Sequence, residues 1–261
     1  MQLRRPRALA AALFGLSVAL TALLAEEHRA RASGPLTTES TIIGTSVEGR
    51  PLEVGCVGDG DHRVLLVGGI HTGAEVISVD LANEFARRVW LQAFEVPDEI
   101  TLCLLPALNL DGVESGDHTN ANGVDLNRNW PTDDWAPRAY HSNVGTVSGG
   151  SRPLSEPETR ALYRYIQQSE PDLVIAWHCC GPLVEANDAP RASELAQVYG
   201  EAAGYWYLDS WHLYTITGEF LDAMDRLDVP VIDVEMRGDD EIDIAEHMAG
   251  VRAVLEALPR E

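Results

Sequence analysis

Lysine is missing from all 261 residues, so the 19 basic side chains are arginines, set against 41 Asp and Glu for a formal net charge of −22. A surface this acidic repels nucleic acid and anionic lipid, and neither is expected as a partner. Such acidity fits a saline habitat and a biased genomic composition equally. Aromatic residues are sparse at 7%, beside an apolar fraction of 45%, which is ordinary for a globular chain. No C-x-x-C pair occurs among Cys56, Cys103, Cys179 and Cys180, which argues against a thiolate zinc ribbon. Cys56 and Cys103 fall in strand-like runs and are able to pair, although connectivity is not encoded locally. Sequence neighbours such as Cys179 and Cys180 rarely bridge each other. Neither an internal repeat nor a low-complexity tract is present.

Long uncharged runs are also scarce, with one exception at the start. Three arginines in Met1–Arg7 precede the uncharged stretch Ala8–Ala25, and Ala30-Arg31-Ala32 supplies a small-x-small cleavage pattern. That is the layout of a secretory signal. At 18 residues the stretch is also just long enough to stay in a bilayer as an uncleaved anchor. No Cys follows it, so a lipid anchor is not expected. The expected organisation is a signal or anchor over 1–32, a spacer over 33–40 and one domain over 41–261, exported to the periplasm or beyond.

Within that domain, Ser40–Val47 and Pro51–Val57 read as a hairpin across Glu48-Gly49-Arg50. The continuous apolar runs Val64–Val67, Ile100–Leu105, Leu173–Trp177 and Val229–Val234 read as strands buried on both faces. Helical patterns lie between them at Glu75–Trp90, Ser193–Gly204, Gly218–Leu227 and Asp243–Leu258. Ser155-Glu156-Pro157-Glu158 reads as a capping box opening a helix to about Gln168. Strands alternating with helices imply an α/β sandwich. Asn109–Arg152 is a long polar stretch, and long loops in compact domains tend to carry function.

Three of the apolar runs end in chemistry. Val64–Val67 leads through Gly68-Gly69-Ile70 to His71 and Glu75, at the carboxyl end of a strand, where open α/β sheets bind their ligands. The flanking glycines let the backbone approach an ion. Leu173–Trp177 ends in His178, which completes a two-His, one-carboxylate zinc set. A strand-end histidine alone is more often simply hydrogen-bonded. Val231–Val234 ends in Glu235, whose apolar setting should raise its pKa and suit it to act as a base toward water. Asp233 shares its face and competes for that role, the choice resting on depth in the sheet.

The most distinctive string is Asn120-Ala-Asn-Gly-Val-Asp-Leu-Asn127-Arg128-Asn129-Trp130-Pro131. With Gly68-Gly-Ile-His71 before it and Pro153-Leu-Ser-Glu-Pro-Glu158 after it, it resembles the zinc carboxypeptidase family, most nearly the branch of bacterial murein peptide amidases. The resemblance runs from about Thr41 to Leu258. It implies a single-domain α/β/α sandwich with a mixed, mostly parallel twisted sheet. It also implies one zinc ion on His71, Glu75 and His178, with Glu235 as base, Asn127 and Arg128 gripping a substrate carboxylate, and Tyr214 covering the substrate. The chain departs from the pattern twice. Three residues rather than two separate His71 from Glu75, and His118 stands where relatives place the arginine that partners the oxyanion. His118 is thus the expected catalytic substitute, shorter than arginine and titrating near neutrality.

Three functions follow from these residues. The first is a zinc-dependent hydrolase cleaving a C-terminal amide or peptide bond of short peptides, cell-wall (murein) peptides among them. The second is an N-acyl amino acid deacylase resembling the aspartoacylase branch, which shares Asp-Leu-Asn-Arg. The third is a silent zinc- and peptide-binding module. The sequence encodes nothing legible about oligomeric state.

Overall fold

In a computed structural model the structure describes residues 39–142, 144–212, 214–238 and 241–258. The proposed leader over 1–32 therefore lies outside the described residues. The strands are β1 (Glu39–Thr45), β2 (Pro51–Val57), β3 (His62–Val67), β4 (Ile100–Leu105), β5 (Arg138–His141), β6 (Gly145–Ser148), β7 (Leu173–Cys179), β8 (Leu183–Ala186), β9 (Trp206–Tyr207) and β10 (Val231–Met236). The α-helices are α1 (Ile77–Trp90), α2 (Leu110–Ser115), α3 (Pro157–Ser169), α4 (Ala192–Ala203), α5 (Phe220–Met224) and α6 (Ile244–Ala257).

Eight strands form one sheet in the order β1-β2-β4-β3-β7-β10-β8-β9, and β5 pairs with β6 separately. The centre β4-β3-β7-β10 is parallel, while β1, β2 and β8 join antiparallel to their inner neighbours. The sheet is therefore mixed. Of its central strands, β4 and β7 are buried from end to end and β3 and β10 nearly so, because both faces are covered. Alternate side chains go to opposite cores, as the two-residue period of a strand requires. Val64, Leu66, Leu173, Ile175, Trp177, Ile232 and Val234 pack with Leu81 and Phe85 of α1, Tyr199 of α4 and Val251 of α6. Leu65, Val67, Val174, Ala176 and Val231 pack with Leu162 and Ile166 of α3 and Phe220 of α5. That alternation places His178, Asp233 and Glu235 on the α3/α5 face, toward the 109–152 segment.

Several local expectations change. The helix expected from Glu75 begins at Ile77, and Gly73–Glu75 forms a separate 3-10 turn. The capping box does not form: Glu156 is the N-cap and makes no side-chain cap bond. Its residues pin the neighbouring loop instead. Ser155 Oγ donates to Glu156 Oε1 at 2.6 Å and accepts from Asn129 Nδ2 at 3.0 Å. Glu158 Oε1 accepts the Val47 N–H at 2.9 Å. Gly68 and Gly69 serve packing: a Cβ on Gly68 would meet Ala82 Cβ at 2.9 Å, and one on Gly69 (φ +58°) would meet Val79 Cγ2 at 2.6 Å. Close approach of strand end to helix is what excludes a side chain there. Cys56 and Cys103 face each other in register between β2 and β4 and form a disulfide. Cys179 and Cys180 are bonded to each other across a cis peptide, against the expectation for neighbours.

Candidate functional site

Beyond Val67 the chain leaves the sheet edge, with Gly68 N–H donating to Leu105 O at 2.9 Å. The 3-10 turn that follows winds more tightly than an α-helix. It brings Glu75 Oε2 to 3.3 Å from His71 Nδ1 in spite of the wide spacing in sequence. The parallel pairing of β7 with β10 sets His178 beside Glu235. His178 Nδ1 then lies 3.7 Å from the same Glu75 oxygen. Three of the expected site residues, from two strand ends and one turn, therefore converge on a single point.

A cavity of about 280 Å³ opens over that point, lined by His71, Glu75, His178, Asn127, Arg128 and Tyr214, with Asp233 and Glu235 in its wall. Arg128 is only 1% exposed. Its Nη1 donates to Asn127 O at 2.8 Å and its Nε to Tyr140 O at 3.2 Å. Asn127 Oδ1 accepts the Phe220 N–H at 2.9 Å. Both residues therefore hold the loop and still face the cavity. Tyr214 packs edge-on against Tyr140 and Trp211, at 5.5 and 5.3 Å between ring centroids. Glu185, Glu219 and Asp233 form a buried group of carboxylates in the same wall.

His118 is placed differently from a cavity wall. Its ring stacks on His71 at 4.2 Å, and its Nε2 lies 3.1 Å from Asp125 Oδ2. The described residues lining the cavity do not include it. Two residues that sequence reasoning did not single out join the cluster. Asp125, wholly buried inside the Asn-Arg string, holds His71 Nε2 at 2.9 Å. A carboxylate on the far nitrogen of a metal-binding imidazole fixes its tautomer and orientation, so an Asp two residues before Asn127 was the available signal. His141 ends the four-residue strand β5 and approaches Glu75 Oε1 at 3.5 Å. Nothing in the sequence marks it.

Burial disfavours charge on every acid here, and the neighbours decide the outcome. Glu75 is pulled well below the usual carboxylate range, because His71, His141 and His178 outweigh burial. Asp125 is likewise held low against burial by His71 and His118. Glu235 goes the other way: burial pushes it well above the usual range, His178 opposes, and Glu75 and Asp233 add to the rise. For His178, burial pulls down, but Asp233, Glu75 and Glu235 carry it up to about 10.

The donor chemistry fits zinc. Two ligands each about 2.1 Å from a tetrahedral ion lie about 3.4 Å apart, and the two imidazole nitrogens sit 3.3 and 3.7 Å from Glu75 Oε2. His178 Nε2 and Glu235 Oε2 have no hydrogen-bond partner. His71, Glu75, His118 and His141 form a further grouping able to hold a metal.

Comparison with known proteins bears on this geometry. Murein peptide amidase A of Escherichia coli K12 is 35% identical over 145 residues, 46% of this chain and 57% of that protein. Murein peptide amidase A of Vibrio campbellii is 30% identical over 162 residues, 59% of this chain and 64% of that protein. The match thus spans little more than half the length of these relatives. The crystal structure of a murein-tripeptide amidase from Escherichia coli O157 superposes with a TM-score of 0.67 at 25% identity, covering 100% of this chain and 99% of the other. Residues 25–186, more than half the chain, match the family described as Zinc carboxypeptidase. With that match and the arrangement of His71, Glu75 and His178, the chain belongs to the zinc carboxypeptidase family.

Proposed function

We propose that this protein is a zinc-dependent hydrolase that cleaves a peptide or amide bond next to a free carboxylate, with short cell-wall (murein) peptides as its substrates. One observation carries the reading. His71 Nδ1 and His178 Nδ1 converge on Glu75 Oε2 in a cavity whose wall also holds the unpartnered Glu235 Oε2. The metal reading is one ion on this triad. When bound, zinc supplies Lewis acidity to the scissile carbonyl and acidifies water toward neutrality.

The protein's own side chains do the rest. Glu235 takes the proton of the attacking water and passes it to the leaving nitrogen. A carboxyl whose pKa is raised by burial accepts a proton more readily than an exposed one and can return it. The Arg128 guanidinium and the Asn127 amide hold the substrate carboxylate, the guanidinium by paired N–H bonds. Tyr214, in the half-buried segment opposite, shields the bond from solvent.

The names of the relatives support murein peptides, and they favour peptide hydrolysis over the deacylase reading. Export is part of the same proposal. Its supports are the arginine-led apolar run before residue 26 and the Cys56–Cys103 disulfide, a bond of oxidising compartments. Among the described residues no helix is long and apolar enough to cross a membrane.

The test is amine release by the purified zinc-loaded chain from C-terminal dipeptides, a murein tripeptide and acyl-amino acids. Cleavage of the peptides, fastest for the murein tripeptide, is expected. Cleavage of acyl-amino acids alone would establish the deacylase, and no cleavage with zinc bound would establish a silent module.

A further inference from the structure

We propose that the protein holds a second divalent cation, on His118, His141 and Glu75, back to back with the zinc triad. The inference rests on the reading that His71, Glu75 and His178 bind zinc, and it adds a site to that reading. The two oxygens of Glu75, a residue 2% exposed, face different pairs of imidazoles. Oε2 meets His71 Nδ1 at 3.3 Å and His178 Nδ1 at 3.7 Å. Oε1 meets His141 Nε2 at 3.5 Å and His118 Nδ1 at 3.9 Å. Each oxygen thus heads its own two-His, one-carboxylate set, and the carboxylate bridges them.

Asp125 repeats the pattern from behind. Its Oδ1 holds His71 Nε2 at 2.9 Å and its Oδ2 holds His118 Nε2 at 3.1 Å. One buried carboxylate therefore turns the Nδ1 atoms of both rings toward Glu75, the arrangement by which such carboxylates orient metal ligands. The distances separate two kinds of contact. Those to Asp125 are of hydrogen-bond length. Those to Glu75 span 3.3 to 3.9 Å, too long for good charged hydrogen bonds and at or a few tenths of an ångström above the ~3.4 Å that separates two ligands of one tetrahedral ion.

Packing makes the same point. His118 and His141 are 4.3 Å apart between ring centroids, and their side chains are 11% and 6% exposed. Imidazole is the common nitrogen ligand of zinc and its neighbours in the periodic table, and a carboxylate bridging two such ions is how paired metal sites about 3.5–4 Å apart are built. A cation on this side would put positive charge next to the active cavity, where the chain carries His118 in place of the arginine of its relatives.

The experiment is metal stoichiometry. The full chain is stripped with a chelator, reloaded with excess zinc, desalted, and its zinc content measured by mass spectrometry against protein concentration. Two equivalents are expected in the native chain, falling to one in His141→Ala and to one in His178→Ala, each checked for native circular dichroism. Should His141→Ala fail to fold, His141→Gln and the native stoichiometry decide. One equivalent in the native chain, or two retained in the folded His141 variant, overturns the second site and leaves the zinc reading standing. No bound zinc at all would instead overturn the zinc reading itself.

Discussion

Two acids two residues apart on β10 point the same way and have different environments. Each has one unpartnered oxygen, Asp233 Oδ1 and Glu235 Oε2, but Asp233 is 3% exposed and faces His178 Nε2 at 3.8 Å, whereas Glu235 is only partly buried. Depth therefore favours Glu235 over Asp233 for the proposed role toward water, with Asp233 beside the ring of His178. Glu235→Gln should cut turnover by about 10²-fold or more with zinc content unchanged, and departure of the metal would identify Glu235 as a ligand. Asp233→Asn should instead weaken zinc affinity, by about 10- to 100-fold, measured by competition with a chromophoric chelator. Glu185 makes a separate case. Burial, with Asp233 and Asp222 adding to it, raises its pKa from 4.5 to about 8. The folded chain then binds that proton more tightly than the unfolded chain does, so this contribution to stability is full at low pH and is lost as pH rises from about 4.5 to 8. Glu185→Gln should flatten the fall of Tm with pH across that window, and an unchanged slope would show that Glu185 titrates normally.

At the scale of elements, the central sheet and its β1-β2 border were legible, the hairpin ending in Pro51–Val57 among them, while the β8-β9 border and the separate β5-β6 pair were not. Runs such as Ile100–Leu105 and Leu173–Cys179 are buried on both faces, so their continuous apolarity marks them, and with them the strand-end positions of His71, His178 and Glu235. The two-residue β9 and the short β8 owe their existence to pairing partners distant in sequence, and β5 and β6 are four-residue strands that pair only with each other, too short for an alternating pattern to announce. His141 was hidden because the strand it ends is so short. The capping box misled because Ser155, Glu156 and Glu158 bond to the Asn120–Asn129 loop rather than to the helix. That loop is tied to the Tyr214 segment through Gly218, whose φ is +68° and whose added Cβ would lie 2.5 Å from Arg128 O. Gly218→Ala should cost about 1–3 kcal/mol and raise KM more than it lowers kcat, because it displaces the Arg128 loop. A lower kcat at unchanged KM would contradict this. Across β2 and β4 the Cys56–Cys103 bond closes a separation of 47 residues, worth about 4 kcal/mol by loop entropy. Replacing both with Ala should lower the denaturation midpoint in urea accordingly and leave zinc content unchanged.

For the whole molecule, the proposed zinc site would couple metal binding to folding, because its ligands come from β7, the turn before α1 and a loop held by Asp125. An ion that binds only the folded chain stabilises it by about 4 kcal/mol when present at a thousandfold over its Kd. Chelation should therefore abolish hydrolysis and lower Tm together, with zinc restoring both. Lost activity at unchanged Tm would mean that the metal contributes nothing to the fold. The arrangement also explains why the family's string of Asn and Arg residues was readable while its physical role was not. Asn120, Asn127 and Asn129 spend their side chains on backbone partners in the loop and on Phe220, Glu156 and Glu158 of neighbouring helix starts, and that scaffold is what presents Arg128 to the cavity. The central claim is a zinc on His71, Glu75 and His178. An anomalous difference map at the zinc edge, from crystals grown with zinc, tests it directly. The account predicts a peak at zinc–ligand distance, about 2.0–2.2 Å, from His71 Nδ1, Glu75 Oε2 and His178 Nδ1. Density at this edge confined to other residues, or none at all in a zinc-soaked crystal, would contradict it.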